Sequence, residues 1–585
     1  MKFAFKPIAI AAALAFIGTA AVASPMKPGT YTAKVNGHNA PLTVEVTVDA
    51  NKILSIKTPD DQESLGVGKV GLKKTADNIL RYQSIGVDAV TGATFSSNAL
   101  KEGVEKCLKQ AGADMKQFTR KAEKHPIHNR TYQADVVVIG GGGAGLASAI
   151  SSMQAGAKKV IVLEKLGYVG GSTNVSEGAL NAVDDQRQKA QGIKDSYETF
   201  YETTMHGGHD KGDPTLVRFL TSHSMDAVNW LESLGVKFND HIGAATGSLG
   251  QRSHYPATPY GNTYIRTFEK VIADSNGKIQ VLLDTPAVKL IQNKSGRVVG
   301  VVGNNFGSKV TVMAKDGVII ATGGFGANVA YRQKVNTGVW KNIKLDNSIG
   351  CTNIQKAAQG QGLFLAQKVG AKLIGLSDIQ IHPCGTPGTG LMENIRTSGR
   401  NRIFVNSDGN RFVNEGAARD VLANAIFQQK GRTYWIVVNK LRYPTPDFKD
   451  RMGASIRNME ALGAVVEAPT LDELAKKTGM NAENLKKAIA DYNAVVSGKA
   501  KDKLGFVANN KDDKQMTEGP WYACRKVPTV HHTMGGIKIN VKSQVINTKG
   551  KVIPGLYAVG EVTGGIHGSN RLGGNAIADI MTFGH

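Results

Sequence analysis

The stretch from Ala134 to Gly145, ADVVVIGGGGAG, constrains the fold of this chain more than any other. Its apolar run is typical of a strand that is buried on both faces. Glycines spaced Gly-x-Gly-x-x-Gly follow, then a helix-like segment, a second apolar strand and the acid Glu164. Such glycines permit a tight turn and a close approach of pyrophosphate to a helix N-terminus, so the unit predicts dinucleotide binding. The alternative is a glycine-rich turn in an unrelated α/β domain.

Later segments indicate which dinucleotide is expected. Small residues, Gly170 to Thr173, follow the acid. One later β-like run ends in two glycines at Ala321–Gly324, and another ends in the Gly-Glu pair Gly560–Glu561. This set looks like the FAD-binding flavoproteins of the fumarate reductase and succinate dehydrogenase group, because NAD enzymes do not usually carry the late Gly-Glu element. The resemblance implies non-covalent FAD. The candidate FAD-binding residues are Gly140, Gly142, Ala144, Gly145, Glu164, Lys165, Gly171, Ser172, Thr173, Ala287, Gly323, Glu561, Asn575, Ala576 and Ile577.

Length and charge set broader limits. With 585 residues the chain is expected to hold several domains. Its net charge of +23 indicates either a soluble basic surface or attraction of anionic substrates and acidic electron donors. The basic residues are dispersed and no nucleic-acid motif is present, so nucleic acid is not an expected partner.

The first residues have the features of a Sec-type signal peptide. Lys2 and Lys6 flank the start of an apolar run, IAIAAALAFIG, and Ala21-Val22-Ala23 fits a small-residue cleavage site. No twin arginine precedes the run, and no later apolar run is long enough to span a bilayer. The mature protein is therefore expected in the periplasm of a Gram-negative bacterium; the alternative is an uncleaved anchor.

The cysteines indicate which redox groups the chain lacks. Cys107, Cys351, Cys384 and Cys524 are scattered, and no CxxC or CxxCH motif is present. A covalent c-type haem or an iron–sulfur centre would have no ligand set, and no metal site is expected. The cysteines are expected to be free thiols or small buried apolar residues.

A first small module precedes the FAD unit. Thr30–Val35 and Leu42–Val48 alternate like strands, and the element DAVTGAT at 88–94 leads into an amphipathic helix. The module resembles the FMN-binding domain of sodium-pumping quinone reductase subunits and of urocanate-reductase-like flavoproteins. The resemblance implies FMN held covalently through a phosphoester on Thr94. The alternative is a Thr/Ser cap at the start of that helix.

The expected fold class is α/β, with a Rossmann-like FAD domain, an inserted α+β clamp domain and a small α+β FMN-binding domain in front. The predicted divisions are a signal peptide at 1–23, the FMN-binding domain at 24–112, a linker at 113–132, the first part of the FAD domain at 133–376, the clamp domain at 377–530 and the second part of the FAD domain at 531–585. We also expect a few residues to be missing after His585, because the helix-like segment NAIADIMTFG stops there.

Long, ordered motifs carry a more specific resemblance, to the flavoprotein of soluble fumarate reductases and to urocanate reductases. These motifs are Gln380-Ile381-His382-Pro383, Arg411-Phe412-Val413-Asn414-Glu415, Arg419-Asp420, His531-His532-Thr533-Met534-Gly535-Gly536 and Gly564 to Arg571. The resemblance implies an alkene that is activated by a carboxylate. It implies that His531 and Arg571 hold the carboxylate, which two donors can capture, that Arg419 donates a proton to the α-carbon, and that His382 lies near the other end. Taken singly, these arginines could be ion-pair residues and these histidines buried and satisfied.

The far end of the substrate site departs from that family. Between the motifs that match Gln380–Pro383 and Arg411–Glu415, fumarate reductases place a Thr-Glu pair and an arginine three residues after the Glu. Counting without gaps, this chain has Asn394, Ile395 and Ser398 there, so the usual proton relay is missing. We therefore expect a substrate other than plain fumarate. Nearby residues that could substitute are Glu393, Arg396 and Arg400.

Urocanate is not favoured by these residues either. Urocanate reductases hold the imidazole with an aromatic and an acidic residue, and the local residues here are Ile381 and Arg396. An acrylate-type, cinnamate-type or larger unsaturated acid fits as well.

The sequence thus predicts a periplasmic respiratory 2-enoate reductase. Electrons would come from a cytochrome c or quinol dehydrogenase, in the periplasm or the membrane, and would pass from FMN to FAD. The alternatives are fumarate reductase proper, an enzyme like 3-ketosteroid dehydrogenase, and an FMN/FAD electron carrier without alkene turnover. The substrate, the donor and the oligomeric state are not given by the sequence.

Overall fold

The computed structural model describes residues 25–121, 125–258, 260–508 and 512–585. The predicted signal peptide at 1–23 lies outside these ranges. The described chain has the predicted mixed α/β fold with a small N-terminal module.

The N-terminal module, residues 25–121, has its own hydrophobic core. An antiparallel sheet in the order β1-β2-β3 packs against helices, and the buried side chains of β2 alternate with half-buried ones. Its elements are β1 (Gly29–Asn36), β2 (Pro41–Val48), β3 (Ile53–Lys57), α1 (Gly68–Tyr82), α2 (Thr94–Gln110) and α3 (Met115–Phe118). Helix α3 lies within the range whose composition suggested a linker, and Phe118 is buried in this core.

The central sheet organises the FAD-binding part. Its strands follow the order β19-β20-β11-β4-β5-β8, with β10 joining β11 to β9, and β4, β5, β8, β11 and β20 are parallel. The apolar runs of β4 and β5 are buried in the main hydrophobic core, as is typical of central strands in a parallel sheet. These strands are β4 (Arg130–Ile139), β5 (Val160–Leu163), β8 (Ile279–Leu282), β9 (Ala287–Gln292), β10 (Val298–Asn305), β11 (Ser308–Ile320), β19 (Gln544–Ile546) and β20 (Val552–Ala558).

Helices and short strands surround this sheet. The helices are α4 (Gly143–Gln154), α5 (Asp185–Ala190), α6 (Tyr197–Gly207), α7 (Pro214–Ser233), α8 (Asn262–Ala273), α9 (Val329–Val335), α10 (Gln361–Lys368) and α15 (Asn575–Thr582). Short strands pair as β6 (Leu180–Asn181) with β7 (Ser253–His254), and as β12 (Leu373–Ile374), β18 (Gly536–Lys538) and β21 (Thr563–Gly564). The 3-10 helices cover Gly171–Val175, Lys430–Arg432 and Gly560–Val562.

A second, antiparallel sheet forms the inserted region, residues 377–530. Its order is β13-β17-β15-β14, with β16 also paired to β17, and two separate hydrophobic clusters pack around it. Its elements are β13 (Ile379–Gly385), β14 (Ile403–Val405), β15 (Tyr434–Asn439), β16 (Val465–Ala468), β17 (Trp521–Thr533), α11 (Arg419–Phe427), α12 (Ile456–Ala461), α13 (Leu471–Thr478) and α14 (Ala482–Val496). Strand β17 continues past residue 530 and so carries the inserted sheet directly into the FAD-binding part.

The cysteines agree with expectation, since all are buried free thiols. Within the described ranges, no helix is both long enough and apolar enough to cross a bilayer.

Candidate active site

A long cleft opens at the carboxyl ends of the parallel strands β4, β5 and β11, where ligands of such sheets bind. Most of the predicted FAD residues line it, namely Gly140, Gly142, Ala144, Glu164, Lys165, Gly171, Ser172, Thr173, Ala287, Gly323 and Glu561.

The glycines of the first turn fit an elongated cofactor. Gly140 has φ +107°, and a Cβ there would lie 2.4 Å from the Ala321 carbonyl oxygen. Gly142 and Gly323 border open space, with nothing within 4 Å of an added Cβ. Gly145 is outside the cleft lining; a Cβ there would lie 1.9 Å from the Gly140 carbonyl oxygen. The first turn therefore needs glycine for close backbone packing, and it leaves room where pyrophosphate would approach.

Glu164 closes this turn. Its carboxylate accepts the Gly141 N–H at 2.6 Å and the Leu166 N–H at 2.7 Å, and burial raises the pKa of Glu164. These bonds tie the glycine turn to the segment after β5. An acid about 20 residues after the glycine turn is expected to accept hydrogen bonds from a cofactor ribose, and this contact of Glu164 stays a prediction.

The predicted residues 575–577 lie behind the cleft. Asn575 begins helix α15, is fully buried, accepts from the Asn181 amide at 2.8 Å and donates to the Thr204 hydroxyl at 3.2 Å. Ile580 of the same helix does line the cleft. Asn575, Ala576 and Ile577 therefore place the helix end that borders the cofactor cleft, with no lining contact of their own.

Glu561 lies where the FAD cleft meets a second group of polar residues. Its carboxylate accepts the Thr533 N–H at 3.0 Å and lies 3.3 Å and 3.4 Å from the Asn353 amide nitrogen. Burial raises the pKa of Glu561 to about 7, and the nearby Arg571 opposes that rise.

Two buried arginines dominate this second group. Arg419 is the first residue of α11; it donates to the Thr246 carbonyl at 3.1 Å and to the Gln380 side-chain oxygen at 3.0 Å. The Gln380 amide in turn donates to the Arg571 carbonyl at 2.7 Å. Burial lowers the pKa of Arg419 to about 10, and burial together with the charge of Arg419 holds the pKa of Arg571 well below its ordinary value. The Nε atom of Arg571 is buried and has no hydrogen-bond partner among the described residues.

Two neutral histidines face these arginines. The His382 and His531 rings have centroids 4.7 Å apart. The Cys384 N–H donates to His382 Nδ1 at 3.1 Å, so the proton of the neutral ring sits on Nε2. His531 Nδ1 lies 2.6 Å from the Thr352 hydroxyl. Burial, and then nearby positive groups, hold the pKa of both histidines well below 6.5.

The structure therefore brings Arg419, Arg571, His382 and His531 together. His382 was expected near the other end of the substrate, but its ring lies beside His531.

The segment that is predicted to form the far end of the site meets a carboxylate, Glu177, that was not among the predicted site residues. The Ser398 hydroxyl donates to Glu177 at 3.2 Å, and Arg396 lies 3.6 Å from the same carboxylate oxygen. The negative charge of Glu177 also favours the protonated forms of Arg419 and Tyr255, that is, it acts to raise the pKa of both side chains. An acid and an aromatic residue thus lie at this end, contributed by the FAD-binding part.

The expectation that Ile381 occupies the far end was wrong. On β13 the side chains of Gln380 and His382 reach the polar site, and Ile381, between them, is fully buried in the main hydrophobic core. Alternation along a strand sends neighbouring side chains to opposite faces.

The N-terminal module docks beside the FAD cleft. Val90 and Ala93 pack with Leu166 and Tyr168, and the partly buried Ala357, a cleft-lining residue, packs against the same cluster. The Tyr168 hydroxyl donates to the Gly92 carbonyl at 3.2 Å.

Thr94 itself is exposed and is the first residue of α2. The N-cap of α2 is Ala93, without a side-chain cap bond, so the alternative that Thr94 serves as a cap is wrong.

Fold, cleft and site define a flavoprotein that has two flavin-binding parts. Residues 135–577 match the FAD binding domain family, and residues 37–109 match the FMN-binding domain family. The chain belongs to the family of FAD-dependent oxidoreductases that includes fumarate, urocanate and acrylate reductases, and its cofactors are FAD and FMN.

Individual relatives agree with this assignment. The chain is 34% identical to the urocanate reductase of Eggerthella lenta, over 95% of this chain and 90% of that protein. It is also 34% identical to the NADH:acrylate oxidoreductase of Vibrio harveyi over 95% of this chain, and it spans only 60% of that relative's length. The open conformation of a flavocytochrome c3 fumarate reductase superposes with a TM-score of 0.62, at 35% identity, covering 77% of each chain.

Proposed function

We propose that the protein is an exported respiratory reductase that saturates the C=C bond of an α,β-unsaturated carboxylate. The observation that carries this proposal is the pair of buried arginines, Arg419 and Arg571. Neither has a carboxylate within ion-pair distance among the described residues. Buried charges of this kind are normally paired, so an anionic ligand is the natural partner.

The substrate carboxylate binds between Arg571 and His531. The Arg571 Nε–H, which has no partner among the described residues, supplies a charge-assisted hydrogen bond. His531, neutral and oriented by Thr352, supplies a further polar contact. Holding the carboxylate here draws electron density from the double bond and makes the β-carbon electrophilic.

Arg419 delivers the proton to the α-carbon. When bound, reduced FAD supplies the hydride for the β-carbon. Burial has already lowered the pKa of Arg419 to about 10, which reduces the free-energy cost of giving up a proton. The bonds to Thr246 and Gln380 fix its guanidinium.

The substrate class follows from the far end. A second substrate carboxylate, as in fumarate, would face Glu177, and like charges repel. A monocarboxylate whose far end is neutral or carries a hydrogen-bond donor fits better. Glu177 and Tyr255 supply an acidic and an aromatic side chain, the two kinds of residue with which urocanate reductases hold the imidazole. They therefore favour a ring-bearing enoate such as urocanate.

Electrons enter through FMN carried on Thr94. This residue is exposed, and its loop packs against the segment that borders the FAD cleft. The donor is a cytochrome or quinol dehydrogenase, and the Sec-type signal predicted at 1–23 supports export to the periplasm.

The catalytic role is tested with Arg419→Gln. We expect turnover of every enoate to fall at least about 10³-fold, because the proton donor is lost, with FAD content unchanged. The assay follows oxidation of a chemically reduced dye by a panel of enoates, and the exposed Arg457→Gln serves as the control. Retained turnover in Arg419→Gln would remove the proposed proton donor.

The same panel separates the alternatives. A strong preference for fumarate would indicate fumarate reductase proper. Turnover of a ketosteroid would indicate the dehydrogenase alternative, which the charged, carboxylate-binding site disfavours. Flavin reduction without any alkene turnover would indicate an electron carrier.

The FMN site is tested by mass spectrometry of protein made with a flavin transferase. We expect an FMN adduct on the peptide with Thr94. Thr94→Ala should abolish the adduct, and Thr91→Ala, in the same loop, should retain it. An unmodified wild-type peptide would rule out attachment at Thr94.

A further inference from the structure

A contact joins the N-terminal module to the inserted region close to the flavin attachment residue. His38 Nε2 lies 2.9 Å from Glu393 Oε1, and the two side chains are 27% and 26% exposed. His38 follows β1, and its ring meets Phe95, the residue after Thr94, edge-on at a centroid distance of 5.5 Å. The ion pair therefore lies beside the proposed FMN position.

The charges around His38 favour the imidazolium ion. Glu393 faces the ring, and Glu63 of the same module accepts the His38 backbone N–H at 2.6 Å. On the other side, the Lys526 ammonium donates to the Glu393 carbonyl. Although burial opposes it, the close carboxylate of Glu393 raises the pKa of His38 to about 9, so the pair is ionised at neutral pH.

The segment that carries Glu393 also builds the far end of the substrate site. Asn394 has a left-handed backbone, φ +59°, and Ile395 is fully buried in the cluster that includes Leu422 of α11. Arg396 and Ser398 follow directly and contact Glu177. One short segment, residues 393–398, therefore contacts the N-terminal module at one end and Glu177 at the other.

We propose that His38 and Glu393 are positioning residues: their ion pair holds residues 393–398 so that Arg396 and Ser398 shape the far end of the substrate site. The FMN-bearing module thereby helps to define substrate affinity, although it touches no substrate. This inference rests on the proposed function for the identity of the site, and the contact geometry is independent of it.

The first test is steady-state kinetics on the flavinylated full-length enzyme. With the best enoate of the panel, His38→Gln and Glu393→Gln should each raise KM about two- to fivefold and leave kcat nearly unchanged. The double variant should be no worse than either single one, because both remove the same pair. The control is Gln62→Ala, which cuts the 2.7 Å bond from Asn458 between the same two parts, away from residues 393–398. Unchanged KM in both single variants, or multiplying effects, would overturn the proposal.

The second test does not need turnover. Hydrogen exchange of the peptide spanning residues 391–399 should be faster in His38→Gln than in wild type or Gln62→Ala. If no enoate is turned over, the proposed function fails, and this measurement still tests whether the His38–Glu393 pair holds residues 393–398. Equal exchange in all three proteins would overturn it.

A third test uses pH. The KM of wild type should stay low up to about pH 9 and rise above it, because the folded-state pKa of His38 is raised and the cation is lost there. His38→Lys should keep a low KM to higher pH; this comparison separates His38 from Arg419, whose pKa is about 10. Coinciding wild-type and His38→Lys profiles would count against the ion pair.

Discussion

At the scale of single residues, one backbone contact fixes the chemistry of His382. Because the Cys384 N–H occupies Nδ1, the ring is held as the tautomer that presents an N–H from Nε2. Its lowered pKa keeps it neutral at physiological pH. His382 therefore offers a hydrogen bond without adding a third positive charge to Arg419 and Arg571.

Gly92 lies in the turn directly before Thr94, and its substitution tests how this turn positions Thr94. It has φ +92°, and a Cβ would lie 2.6 Å from the Tyr168 hydroxyl, so Gly92→Ala should displace the loop that carries Thr94. We expect reduced FMN incorporation together with a loss of about 1–3 kcal/mol of stability. The measurements are flavin fluorescence of the denatured protein and urea unfolding.

Gly112→Ala is the matched control for this change. It has φ +78° in the same module, with nothing within 4 Å of an added Cβ, so it introduces backbone strain alone. Equal FMN loss in the two variants would mean that strain, and not the contact with Tyr168, matters.

At the scale of elements, two paired strands assemble most of the polar site. Strand β13 pairs antiparallel with β17, so that His382 is opposite Thr529 and Gln380 is opposite His532. A register shift between Gln380 and Ile381 lets His531 also approach His382. The pairing therefore concentrates buried histidines next to two arginines.

The lowered pKa values of these histidines predict that the free energy of unfolding decreases as pH falls. His532 has a pKa held well below 6.5 by burial and by Arg571, whereas the unfolded chain protonates it near 6.5. Its contribution to stability is therefore present above pH 6.5 and is lost as pH falls. Between about pH 6.5 and the lower folded-state value, the loss should be about 1.4 kcal/mol per pH unit.

Urea unfolding between pH 5 and 8 measures this loss. His532→Gln should lower the slope by about 1.4 kcal/mol per pH unit relative to wild type, because His382 and His531 keep their own lowered pKa values, and the exposed His223→Gln should leave the slope unchanged. The comparison between variants is needed because buried acids such as Glu561, with its raised pKa, act in the opposite direction. A wild-type slope retained in His532→Gln would show that His532 is not the titrating group.

At the scale of the whole molecule, the N-terminal module and the FAD-binding part have separate cores that meet through a small apolar cluster around Val90, Ala93, Leu166 and Tyr168. Most of the buried apolar area of each part therefore survives without the other. Their association serves to place the Thr94 loop beside the FAD cleft.

Removal of residues 1–121 tests this independence. The remaining chain should fold, bind FAD and reduce the enoate with a chemical donor, and its thermal midpoint should shift by only about 2–5 °C. Electron transfer from a cytochrome or quinol donor should be lost. Spectroscopy of bound FAD and a thermal scan give the readouts, and a truncated chain that lacks FAD would show that the module supports the FAD fold.

Much of this fold could be predicted because its signals are local. The Gly140 turn, the buried strands beside it and the helix after Thr94 each depend on residues adjacent in sequence. The bounds of the inserted region, taken from motif order, stay a prediction. The continuity of β17 through residue 530 could not be predicted, since strand pairing between distant segments sets it.

The sequence by itself determined the two flavin-binding units and the identity of the residues around His531 and Arg571, since spacing within short segments carries that information. Only the tertiary structure decided that Glu177 contacts Ser398 and Arg396, that Gln380 joins Arg419 to the Arg571 backbone, and that His38 meets Glu393. Each of these contacts joins segments that are far apart in the chain. Burial and mutual charge, which set the pKa values of the site, are properties of the packed interior and not of any one segment.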